Sequence, residues 1–102
     1  MFRRVRLSVK RGVLLHAAIN STNAANKVAK AANNLALVHT ELGRFADARR
    51  GFVEALAAGQ RLGDARIEGG SLTNLGMLDV QLGDPRAAIE HLARARERYR
   101  SI

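Results

Sequence analysis

The sequence predicts an all-α chain, with five antiparallel helices stacked as hairpins into a right-handed α-solenoid. Three observations lead there. The apolar residues are mainly Ala and Leu, both strong helix formers, while aromatic residues make up only 4% of the chain. A single proline, Pro85, occurs in 102 residues. The triplets Leu42-Gly43-Arg44, Leu62-Gly63-Asp64 and Leu82-Gly83-Asp84 recur every 20 residues, a fixed internal period of the kind that marks repeat architectures.

Each triplet reads as the end of one helix and the start of the next. Gly just past a helix end takes the left-handed conformation that closes it. Asp64 and Asp84 stand where a carboxylate caps the following helix, and Pro85 suits the first helical position, where no N–H donor is needed. Thr22-Asn23-Ala24 falls on the same beat, with Asn23 able to cap or turn. The expected helices therefore span residues 4–21, 25–41, 45–61, 65–81 and 85–100, each about 25 Å long. Turns this short join only antiparallel neighbours.

A longer period of 40 residues is superimposed. Aligning 34–55 with 74–95 gives six identities, and their positions say how the helices pack: Asn34/Asn74, Leu35/Leu75, Leu42/Leu82, Gly43/Gly83, Ala48/Ala88 and Ala55/Ala95. Ala36 and Gly76 follow the paired leucines. Small residues at facing positions let helix axes approach closely, and Phe52 and Leu92 are placed to fill the space between them.

In these residues the chain resembles the tetratricopeptide repeat family. Leu followed by a small residue on the first helix, Gly at the turn, then Ala, a large apolar residue and Ala on the second are matched twice, from Asn34 to Ala55 and from Asn74 to Ala95. The 40-residue spacing is similar to the long-helix variety found in kinesin light chain and in bacterial regulators and signalling ATPases. The chain departs from the pattern where the family's late aromatic in the first helix is His39 or Asp79, and where its closing Pro is missing. Residues 4–21 fit as the second half of an earlier repeat, pairing Val13 with Val53, Ala17 with Ala57 and Ala18 with Ala58. The domain division is then a half repeat (4–21) followed by full repeats over 25–61 and 65–100, with no polar capping helix after residue 100. That implies a fragment of a longer array, or one completed by a partner. The last helix carries Ile89, Leu92, Ala93, Ala95 and Tyr99, so a homo-oligomer through exposed terminal helices is expected.

The resemblance also implies a site. First helices of such repeats line a concave surface, which places Lys30, Asn33, Asn34, Leu37, Thr40 and Glu41 there in one repeat. The next repeat contributes Gly70, Thr73, Asn74, Met77, Val80 and Gln81. Asn34 and Asn74 match the asparagine ladder with which related arrays hold extended peptides, since a side-chain amide both donates and accepts. The basic clamp of chaperone-binding members is not matched, Lys30 alone being present.

Other chemistry is sparse. There are no cysteines, which removes disulfides and thiolate metal sites and fits a reducing, cytoplasmic compartment. His16, His39 and His91 lie on different helices without metal-ligand spacing. His39 and Asp79 occupy equivalent steps in successive repeats and could stand near each other, in a contact as well structural as functional. No catalytic dyad, nucleophile elbow or phosphate-binding glycine loop is present, so neither an enzyme nor a cofactor or metal is expected. Gly69-Gly70 reads as a close helix contact.

The net charge of +8 sits entirely at the ends, because residues 12–93 are neutral. Arg3, Arg4, Arg6, Lys10 and Arg11 form one basic cluster, and Arg94, Arg96, Arg98 and Arg100 the other. The first precedes Gly12-Val13-Leu14-Leu15 and has the look of a targeting peptide, but the apolar stretch is short and His16 interrupts it. No apolar run reaches the roughly 20 residues of a membrane span. The composition is compatible with a bacterial source. The expected function is a scaffold binding a peptide or helix of a protein partner in the concave groove. The alternatives are a regulatory fragment of a larger bacterial transcription regulator or signalling ATPase, and nucleic-acid binding through the basic ends. The last is weakened by the lack of interleaved aromatic residues.

Overall fold

The computed structural model describes the backbone of residues 2–102 and the side chains of residues 11–102. Four helices follow one another: α1 (Phe2–Glu41), α2 (Phe45–Leu62), α3 (Ala65–Gln81) and α4 (Pro85–Arg100). Among the described residues there is no strand. The three Leu-Gly turns are where the sequence places them. Gly43, Gly63 and Gly83 have φ of 76°, 63° and 77°, a region that costs any residue with a Cβ. The N–H following each glycine reaches back five residues to close the helix, Arg44 to His39 O at 2.8 Å, Asp64 to Gly59 O at 2.9 Å and Asp84 to Asp79 O at 2.9 Å. Asp64 Oδ1 accepts from the N–H groups of Arg66 and Ile67, and Asp84 Oδ1 from that of Ala87, so both carboxylates cap as expected.

The first two of the five expected helices are one. α1 runs 40 residues without a break at Thr22-Asn23-Ala24, about 60 Å at 1.5 Å per residue. It accounts for most of the 67 Å long axis of the molecule. The other three turns each supply a glycine at positive φ, and this stretch supplies none. Thr22 and Ala24 resist the left-handed region, so the i→i−4 bonds simply continue. Residues 11–24 are exposed throughout, and the first buried side chain of α1 is Ala29.

From Ala29 onward the helices stack in sequence, α1 on α2, α2 on α3 and α3 on α4. The core gathers Ala36, Ala48, Phe52, Leu75 and Leu78, with Phe45 and Leu56 packed against it. Close approach depends on small residues. A Cβ on Gly51 would stand 2.8 Å from Ala36 Cβ, and one on Gly76 would stand 2.6 Å from Leu92 Cγ and 3.3 Å from Ala88 O. Gly69 lies under the Tyr99 ring in the same way and marks a close helix contact, whereas a Cβ on Gly70 would stand 3.7 Å from the Tyr99 hydroxyl, an ordinary distance. Ala48, Ala55, Ala88 and Ala95 are all buried.

One buried charge ties three helices together. Asp79 of α3 is fully buried, with Oδ1 accepting from Arg49 Nη2 of α2 at 2.9 Å and Oδ2 lying 2.6 Å from His91 Nδ1 of α4. Burial by itself would raise the Asp79 pKa. The hydrogen bonds from His91 and Arg49, and their charges, outweigh burial and hold it below the ordinary 3.8. The expected neighbour, His39, is not among these partners, and its Nδ1 is buried without one. α2 and α4 flank Asp79 directly and supply both of its partners. Glu68 and Arg98 form a second ion pair, between α3 and α4.

Two outcomes follow from this packing. Ala88→Leu is expected to overpack the α3–α4 contact and cost about 1–3 kcal/mol, read as a lower thermal midpoint. Asp79→Asn is expected to cost about 1–3 kcal/mol at neutral pH, less than a fully buried pair because Arg49 and His91 can reach water. A depressed folded-state pKa contributes stability above the unfolded value and loses it as pH falls through the folded one. The gap between wild type and Asp79→Asn in denaturant titrations should therefore be full at neutral pH and narrow below pH 3.8.

Candidate functional site

α3 uses most of its circumference for packing, with Leu75 and Leu78 in the cluster shared with α2 and Gly76 against Leu92 of α4. What remains is one solvent-facing stripe at intervals of three and four residues, formed by Gly70, Thr73, Asn74, Met77, Val80 and Gln81. Met77 and Val80 are the most open large apolar side chains on it, at 63% and 62% exposure. α1 repeats the stripe one period earlier, where Lys30, Asn34, Leu37 and Glu41 are exposed and Asn33 and Thr40 half-buried.

The polar members differ in what they have left to offer. Asn33 is committed to the seam between α1 and α3. Its Nδ2 donates to Ser71 Oγ at 3.0 Å, and that hydroxyl donates back to Asn33 Oδ1 at 3.2 Å. Thr40 Oγ1 donates to Ala36 O and Thr73 Oγ1 to Gly69 O, each one turn back along its own helix. Both hydroxyls can then only accept from a visitor. Asn34 and Asn74 make no side-chain hydrogen bond among the described residues, Asn34 exposed and Asn74 half-buried beside the α1–α3 seam. Leu37, Met77 and Val80 form discontinuous apolar ground between these polar groups.

Sequence reasoning missed three polar contacts, Asn33–Ser71 at the edge of this stripe and Arg49–Asp79–His91 and Glu68–Arg98 away from it. Their one sequence signal is an ionisable residue, Asp79, at a step where the repeat otherwise expects an apolar side chain. Among the described residues no group of three or more His, Asp or Glu could hold a metal ion. No described helix is long and apolar enough to cross a membrane. Of the two basic clusters, Arg3, Arg4, Arg6 and Lys10 lie outside the described side chains, and Arg11 is exposed. At the other end Arg98 is engaged by Glu68 and Arg100 reaches Glu97 at 3.4 Å, leaving Arg94 and Arg96 exposed without an acidic partner.

Comparison with known proteins agrees with this architecture. A family model described as tetratricopeptide repeat matches residues 27–101, which takes in the C-terminal part of α1 and all of α2, α3 and α4. No curated protein and no solved structure matches the chain. Tetratricopeptide repeats are non-catalytic units that generally mediate protein–protein interaction. With its glycine-closed hairpins, its small-residue helix contacts and a family match over most of its length, the chain belongs to the tetratricopeptide repeat family.

Proposed function

We propose that the chain is a protein-interaction scaffold whose stripe on α1 and α3 takes an extended peptide or an amphipathic helix of a protein partner. The observation that carries this reading is the pair Asn34 and Asn74. They are equivalent amides one repeat apart, on neighbouring solvent-facing stripes, without a side-chain hydrogen bond among the described residues. Around them Leu37, Met77 and Val80 offer apolar contact, and Lys30, Glu41 and Gln81 a mixed polar margin. That surface suits a partly apolar ligand and gives a highly charged one little to pair with. Asn33 belongs to the framework of the groove, since its amide already holds α1 to α3. The lack of cysteine fits action in the reducing cytoplasm.

The test is a peptide-display selection against the 102-residue chain, followed by affinity measurements on the selected peptides. Asn74→Ala is expected to weaken them by about 5- to 150-fold, equivalent to about 1–3 kcal/mol, with an unchanged thermal midpoint. Met77→Asp should weaken them as well. Unchanged affinity in a folded Asn74→Ala protein would remove the ladder from the reading.

A further inference from the structure

The same repeat position has opposite fates in α1 and α3. Leu75 and Leu78 are each 1% exposed, in the cluster that α2 supplies with Ala48 and Phe52. Leu35 and Val38, one period earlier, stand 58% and 49% exposed. At the other end of the same helix Leu15 and Ile19 are 63% and 49% exposed. The α2–α3 hairpin turns at Gly63 and joins residues about equally distant from it. Gly59 meets Ile67 and Glu68, while Ala48 and Leu78 share the core cluster. Moved back one period, the centre is Asn23, and the corresponding partners are Ile19 with Lys27 and Val28, Leu15 with Ala31, and Gly12 with Asn34 and Leu35. Within one chain they cannot meet, because α1 runs straight through Asn23.

A second copy restores all of them. Two α1 helices laid antiparallel, with a two-fold axis at Asn23, bring each residue opposite its hairpin partner, twice over. We propose that the chain forms this two-fold dimer, in which residues 11–21 of each α1 occupy on the other copy's α1 the place that α2 occupies on α3. It is an exchange of one helix between copies, with Thr22-Asn23-Ala24 as the opened hinge. Closing the hinge within one chain would put Asn23 in the left-handed region, which costs more than it does for the glycine of the other three turns. Gly12, Ala31 and Ala24 keep the facing surfaces low enough for close approach. The contact spans residues 11–35 of each copy, about 40 Å long and about 10 Å wide, a footprint of about 400 Å² on each chain that makes for a weak, concentration-dependent dimer. Arg11, Lys27 and Lys30 face a helix whose one acidic residue is Glu41. The dimer is therefore opposed by like charge and tightens as salt screens it.

The native chain has no cysteine, so an introduced pair reports without background. The experiment oxidises Leu15→Cys/Ala31→Cys and reads the product on a non-reducing gel, beside sedimentation of the wild-type chain at low and high salt. The expected result is a covalent two-chain species and a wild-type dimer that strengthens with salt. A disulfide within single chains means a closed hairpin and overturns the exchange. Absence of the disulfide overturns the register, and a wild-type monomer at high micromolar concentration overturns the dimer. A second variant, Thr22→Leu/Asn23→Gly/Ala24→Asp, copies the Leu-Gly-Asp turn of residues 62–64. It should become a monomer with its helical circular dichroism retained, and if it dimerises like wild type the hinge assignment fails.

Discussion

The left-handed glycine at the end of a helix is the constraint from which the architecture follows. At Gly43, Gly63 and Gly83 the chain reverses because one residue without a Cβ accepts positive φ, and the N–H after it satisfies a carbonyl that the helix end would leave open. Each reversal is tight enough to lay the next helix back on the last. The 20-residue interval then sets helix length, and neighbours in sequence become neighbours in space. Where no glycine is supplied, at residues 22–24, the helix continues and α1 becomes a rod.

Tight turns bring the helices together, and small residues decide how close they come. Gly51 against Ala36 and Gly76 against Leu92 remove the side chains that would hold the axes apart. An apolar core of this size gives little positional specificity, because alanine surfaces slide. Asp79 supplies some of it, since its two oxygens are matched to one donor on α2 and one on α4. Asn33 and Ser71 do the same between α1 and α3. The polar contacts therefore fix register where the apolar ones supply affinity.

The surface left over is the one the proposed scaffold role uses. Packing consumes the faces of α3 towards α2 and α4, and the residual stripe is presented on rigid helices with little rotational freedom. Its repetition on α1 one period away would give the proposed extended ligand two equivalent points of contact. An exchanged dimer would carry two such surfaces, one per copy, joined through the paired α1 rods.

Composition and the Leu-Gly beat determined the helical class, three turn positions, both aspartate caps and the burial of Ala48, Ala55, Ala88 and Ala95, because backbone conformation and small-residue contact are local properties that a residue carries wherever it stands. The stripe was legible for a related reason, since a helical period assigns faces without coordinates. What neighbours do was not legible. Thr22-Asn23-Ala24 falls on the beat but has Asn where the other turns have Gly, and Asn23 alone did not reveal which way the helix would go. His39 and Asp79 share a repeat step, yet Asp79 pairs with Arg49 and His91, because its carboxylate lies between α2 and α4. Leu35 and Leu75 are the same residue at the same step, one 58% exposed and the other 1%. Only the tertiary structure decided that difference, because burial depends on whether another helix lies across the position, and α2 lies across one of them alone.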